Sequence, residues 1–276
     1  MPTGTVLVTG ASTGIGEATV LHLKALGFDA IGAVRKDEDA ERLEGRGVRT
    51  MRIDVTDAGQ IAGARDELGD IPLAGLVNNA GIAVAAPLEF LPVDRLRQQL
   101  EVNLIGQVAV TQAFLPALRR ARGRIVNVSS IGGRVALPLA GAYNASKFGL
   151  EGVSDALRRE LRSQGVDVIV IEPGGVKTPI WRKGGELADE MLADVGPEVE
   201  RLYGQTIAAV RARTERIDRE TGSEPREVAE VIGEALTSKR PRARYVVGRD
   251  AKVRARMSRV LPDRVMDRMI TRALRG

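Results

Sequence analysis

Cysteine is absent from the 276 residues, and histidine occurs once, as His22. The first absence removes disulfides, thiolate nucleophiles and Cys-ligated metals. The two together argue against Ser-His-Asp chemistry, Cys-His chemistry and a His-rich metal site. His22 falls within a helical pattern and reads as a packing residue. Any general acid must therefore be Tyr, Lys, Asp or Glu. Aromatics are scarce, at 3%, and only Tyr245 stands among the cations of the tail, which argues against nucleic-acid binding. No apolar run approaches the roughly eighteen residues that a membrane span needs. Met-Pro-Thr-Gly leads straight into a strand, with neither a basic region nor an apolar signal core. The expectation is a cytoplasmic protein.

The net charge of +5 is unevenly distributed. Lys239 to Gly276 holds 13 Lys/Arg against 3 Asp/Glu, so the rest of the chain is net acidic. The basic character belongs to the tail and carries little information about the core's ligand.

Thr5–Thr9 is a short β-branched strand, followed by the glycine-rich turn Gly10–Gly16 and a helical pattern from Ala18 to Leu26. Further strands are expected at Asp29–Val34, Thr50–Val55, Leu73–Val77, Gly123–Ser130, Asp167–Ile171 and Arg244–Gly248. Helices are expected from Val93 to Ala121, from near Tyr143 to Ser163, and from Pro225 to Thr237. Strands apolar on both faces, alternating with helices, imply an α/β fold: a doubly wound (Rossmann) parallel sheet with helices on both faces. The polar helical stretch Lys177–Ser223 interrupts the alternation and reads as a lid over the strand ends. Residues 1–250 thus form one domain, and 251–276 a basic amphipathic helical extension divided near Pro262. The extension is open to two readings, a helix packed on its own domain or a partner, or a helix lying on an anionic membrane surface.

Two patterns carry chemistry. Gly10-x-x-x-Gly14-x-Gly16 lies between a strand and a helix, where glycines let the backbone approach a pyrophosphate resting on the helix N-terminus. Tyr143 and Lys147 are four residues apart, on one helix face. A nearby ammonium favours the phenolate, so this pair predicts a phenol tuned toward neutrality for proton transfer.

With Thr9–Gly16, Asp54-Val55, Asn78-Asn79-Ala80-Gly81, Asn103, Ser130, Tyr143-x-x-x-Lys147 and Pro173-Gly174 in order, the chain resembles the single-domain short-chain dehydrogenases/reductases over about residues 5–180. The resemblance implies an enzyme that interconverts an alcohol and a ketone or aldehyde by hydride transfer. Tyr143 would be the general acid/base, Lys147 would lower its pKa and hold the nicotinamide ribose, and Ser130 would hold the substrate oxygen. Asn103 would hold a water linking Lys147 to solvent. The nucleotide would lie along Gly10, Ser12, Thr13, Gly14, Ile15 and Gly16. Asp54 and Val55 would meet the adenine, and Asn79, Ala80 and Gly81 would form the central strand end. Pro173, Gly174, Val176 and Thr178 would face the nicotinamide. No metal is implied.

Arg35-Lys36 follows the second strand, where relatives preferring NAD often carry an Asp; two cations there suit a 2′-phosphate, so NADP(H) is expected. Thr13 in place of a cation before Gly14, and the acids Asp37, Glu38 and Asp39, run against that expectation. The carboxyl-terminal pattern Arg244-Tyr245-Val246-Val247-Gly248, with Leu261-Pro262-Asp263, is similar to the retinol and hydroxysteroid dehydrogenase branch. It implies a bulky apolar substrate, with Trp181 a natural pocket wall. Relatives often form homodimers or homotetramers through their long helices. The competing reading is a non-catalytic NAD(P)-sensing regulator on the same fold.

Overall fold

The computed structural model describes residues 3–193 and 195–273. Its centre is a parallel sheet of seven strands: β1 Thr5–Thr9, β2 Asp29–Val34, β3 Arg49–Arg52, β4 Leu73–Asn78, β5 Arg124–Val128, β6 Asp167–Pro173 and β7 Arg244–Val247. They lie in the order β3-β2-β1-β4-β5-β6-β7, every neighbouring pair parallel. The chain reverses its direction of growth between β1 and β4. In such sheets the crevice beyond the strand C-termini at that point is where ligands bind.

Alternation along the strands fills two cores. Val6 and Val8 of β1 face one side, with α1 (Gly14–Ala25) and α9 (Pro225–Thr237) packed over them through Val20, Leu23, Val228 and Ile232. Leu7 faces the other side, under α3 (Ala58–Leu68) and α5 (Gly106–Ala121) through Ile61, Leu68, Phe114 and Leu118. His22 lies where α1 and α9 touch: a Cβ added to Gly233 would stand 2.8 Å from its Nε2. It is a packing residue, remote from the crevice.

Several elements differ from the sequence expectation. Helix α2 (Asp37–Glu44) and helix α3 occupy stretches where none was expected; Asp57 caps α3 by accepting the Gln60 amide at 3.0 Å. β3 stops at Arg52, although the Ile53 amide still donates to Val34 O. The long helix over 93–121 is α4 (Val93–Leu100), a π-helical turn Glu101–Ile105, and α5. The stretch expected to form a lid folds as α7 (Ile180–Leu192), α8 (Pro197–Arg216) and a π-helical turn Ile217–Thr221. Its two ends are clasped: Lys177 N donates to Ser223 O, and Ser223 N donates to Gly175 O. The lid therefore leaves and re-enters the domain at one point.

Helix α6 (Gly141–Glu160) carries the Tyr143 stretch. The tail is two helices, α10 (Arg249–Val260) and α11 (Asp263–Ala273). α10 packs through Ala251 and Ala255 against Ile131, whereas α11 has no buried residue. The free part of the tail thus begins past Pro262, not at residue 251.

Candidate active site

A cavity of about 690 Å³ opens over the strand C-termini, running from Arg35 and Lys36 past the glycine turn and Ser130, Tyr143 and Lys147 to the lid. It brings Gly10, Ser12, Thr13, Gly14, Ile15, Asp54, Val55, Asn79, Ala80, Gly81, Pro173, Gly174, Val176 and Thr178 to one surface. Of the expected site residues, Gly16 and Asn103 do not line it. Gly16 lies beneath, packed on Gly10 O. Asn103 is fully buried behind the wall.

The glycine turn fits a nucleotide for steric reasons. Gly10 has φ +64°, and an added Cβ would stand 2.7 Å from Ala80 Cα. Gly14 has φ +61°, with Thr178 directly against it. Thr13 precedes α1 without a side-chain cap, so the first amides of the helix remain free to donate toward the cavity. Asn79 binds the turn from β4: its Nδ2 donates to Thr9 O and Gly10 O at 3.0 and 3.1 Å. Thr9 Oγ1 in turn accepts the amides of Asn79 and Ala80. Thr9 is thus the turn's second brace, visible in the sequence only as part of a strand.

Asp54 has both local and longer-range partners. Its Oδ1 accepts Thr56 N and Thr56 Oγ1, as a turn-initiating Asp would, and Oδ2 lies 3.8 Å from Arg35. Arg35 is well exposed, with Lys36 beside it along the cavity.

The reactive end is built on α6 and on the turn after β5. Tyr143 and Lys147 are 7% and 4% exposed. Burial raises the Tyr143 phenol above its ordinary value, opposed by the Ser130 hydroxyl. Burial also depresses Lys147, to about 8, opposed by the charge of Glu151. The expected lowering of the Tyr143 pKa by Lys147 is therefore not met here. Both groups have lost water, and Lys147 Nζ donates to Val128 O at 2.8 Å, 5.8 Å from the Tyr143 ring centre. Ser130 Oγ accepts the Gly132 amide at 3.0 Å, fixing it at the head of the turn. Trp181 covers the phenol edge-on, ring centres 4.9 Å apart.

The Asn103 side chain binds the segment after β4. Its Oδ1 accepts Ile82 N, and its Nδ2 donates to Ile82 O and Ser146 Oγ. These bonds use both amide hydrogens and one of the two lone pairs of Oδ1. The π-helical turn 101–105 alters the carbonyl ladder at that position. Asn103 belongs to a series of buried amides. Gln99 binds Val84 N and Ile82 O, and Gln107 donates to Ala80 O. The spacing 99, 103, 107 pins the whole segment after β4 and was available in the sequence.

Behind Lys147 lies a buried charge cluster that motif reading missed. Arg134 donates twice to Glu172 Oε1, and Arg244 reaches Glu151 at 3.0, Asp155 at 2.8 and Glu172 at 3.3 Å. Burial, then the charge of Glu151, pushes Glu172 up, to about 7.

A family profile described as short chain dehydrogenase matches residues 4–187. The chain belongs to this family. Retinol dehydrogenase 16 of Homo sapiens is 39% identical over 90% of this chain and 81% of its own length. An NADPH-dependent 3-dehydrocapnine reductase of Ornithobacterium rhinotracheale is 35% identical over 98% and 96%. A short chain dehydrogenase from Burkholderia cenocepacia, solved in complex with NADP, superposes with a TM-score of 0.75 at 27% identity, covering 96% of each chain. As a short-chain dehydrogenase of the retinol and hydroxysteroid dehydrogenase branch, the protein is an NAD(P)-dependent oxidoreductase.

Proposed function

We propose that this short-chain dehydrogenase uses NADP(H) to interconvert a hydroxyl and a carbonyl on a bulky, largely apolar substrate. The observation that carries the chemistry is the convergence of Ser130, Tyr143 and Lys147 on one cavity that continues into the glycine turn. A nicotinamide bound there supplies or accepts the hydride. Ser130 then holds the substrate oxygen where charge develops. Tyr143 donates the proton to that oxygen in reduction and takes it in oxidation. Lys147, freed from Val128 O, binds the ribose hydroxyls and favours the phenolate electrostatically. Asn103 holds a water that links Lys147 to solvent.

Arg35 and Lys36 support NADP(H), because a guanidinium pairs well with a 2′-phosphate; Asp54 balances part of that charge. Ile131, Val135, Leu137, Trp181, Leu187 and Val210 give the substrate end its apolar lining. Exposed Ile105 and Phe148, on the helices through which relatives assemble, support a homo-oligomer.

The test is a panel of apolar ketones and alcohols assayed with NADPH and NADH. Turnover with a lower KM for NADPH supports the reading, and a clear preference for NADH contradicts the cofactor assignment. Cofactor binding without turnover on any member would favour the regulator.

A further inference from the structure

The charges along the cavity are sorted by end. The acids that line it, Glu38, Asp39 and Asp54, all stand where β2 and β3 finish. Among the described residues, those of the lid and tail that line it include Lys183, Arg213 and Arg254 and no carboxylate. Arg213, on α8, is partly buried, and among the described residues no acid lies within 4 Å of it. Burial and the neighbouring charge of Arg254 both weaken its hold on its proton. Arg254 has one partner, Asp250, at 3.2 Å. That carboxylate is turned toward Gly174 and Gly248 at the ends of β6 and β7. Of the two guanidiniums only that of Arg254 pairs with the carboxylate, and Asp250 acts on Arg213 only at longer range. A half-buried cation without a counter-charge is costly unless an anion completes it.

The position is on the substrate side. α10 is fixed by Ala251 and Ala255 on Ile131, the residue after Ser130, and Arg254 of that helix lines the same cavity as Ser130. Arg213 is one helical turn before Ile217, which packs on Gly175. Neither arginine is near the Arg35–Lys36 end, where a 2′-phosphate would be held.

We propose that Arg213 and Arg254 form an anion-binding subsite at the lid end of the cavity, and that the substrate is a carbonyl or alcohol whose apolar body carries a carboxylate, sulfonate or phosphate. The identification of the ligand as substrate rests on the oxidoreductase reading above; the anion subsite itself does not. An arginine fork suits each of these groups, and the lid, clasped at Val176 and Ser223, carries Arg213 over the bound molecule.

Trp181 is the single tryptophan and lies against Tyr143, so its emission reports on this cavity. With NADP⁺ present, decanoate, decanesulfonate and decan-1-ol are titrated against the full chain. The two anions should bind roughly tenfold or more tightly than the alcohol, the scale of one charge-assisted bond, and only their binding should weaken in high salt. Arg213→Met should remove the preference, and Arg213→Lys should keep part of it, with circular dichroism unchanged in both. Equal binding of anions and alcohol, or no response to either anion, overturns the proposal. So does a preference that survives Arg213→Met with Arg254→Met. Arg213→Met weakening NADPH as much as the anions would also overturn it, by assigning Arg213 to the dinucleotide. A medium-chain oxo acid and its methyl ester, assayed with NADPH, separate the two claims. If both are reduced equally well, the subsite fails alone; if neither is reduced while the anion preference still depends on Arg213, the redox reading fails alone.

Discussion

Lys147 is a cation in a place that does not favour one. Its depressed value, about 8, means that folding binds the proton less tightly than the unfolded chain does. The stability Lys147 contributes is therefore present above its ordinary pKa near 10.5 and lost as pH falls through 8. Comparison with Lys147→Met cancels the other titrations. Wild type should gain roughly 3 kcal/mol relative to the variant between pH 8 and 10.5, the scale of a shift of this size. Urea unfolding across that range reads it, and a flat difference would mean that Lys147 is solvated. Such a cost fits the role proposed for Lys147, a cation that would meet ribose hydroxyls and a phenolate. The residue scale is also where sequence reading did best and worst. That Tyr143, Lys147, Ser130 and the glycine turn meet at one cavity was legible, because the motifs depend on residue type and spacing. The role of the Asn103 side chain was not, because an amide carries no mark of whether it holds water or pins Ile82. Nor was the direction of the Tyr143 shift, since burial depends on Trp181 and the lid, distant in sequence.

At the scale of elements, the buried charge cluster joins pieces that the motifs treat separately. Arg244 on β7 binds Glu151 and Asp155 on α6 and Glu172 on β6, and Arg134 closes it from the turn after Ser130. Removing one partner of such a set leaves like charges facing each other without water. Arg244→Met should cost about 3 kcal/mol in equilibrium unfolding; a loss under about 1 kcal/mol would show that water reaches the cluster. The strands were legible because a short, continuous apolar and β-branched run is a local signal. Helices α2 and α3 were not, because α2 buries one residue, Leu43, and its charged sequence has no apolar stripe. The break at 101–105 was hidden as well, since a π-helical turn leaves the apolar period nearly intact.

At the scale of the whole molecule, the chain divides its charge between a net acidic domain and a basic tail. The tail in turn divides into packed α10 and bare α11, which exposes Val265 and Met269 among arginines. On the membrane reading of the tail, α11 is the part that would meet an anionic bilayer surface. Deletion from residue 263 onward, which leaves α10 in place, should abolish binding to phosphatidylserine-containing liposomes without lowering turnover. No binding by the full chain, or unchanged binding after deletion, would leave α11 to a protein partner.

The central claim is that Tyr143 transfers the proton in a nicotinamide-dependent reaction, and absorbance at 340 nm tests it most directly. Wild type and Tyr143→Phe are compared on whichever ketone of the panel is turned over with NADPH. The account predicts a loss of at least about 100-fold in kcat, the scale of general acid catalysis, with NADPH affinity and the unfolding midpoint little changed. Turnover by Tyr143→Phe within a few fold of wild type would contradict it.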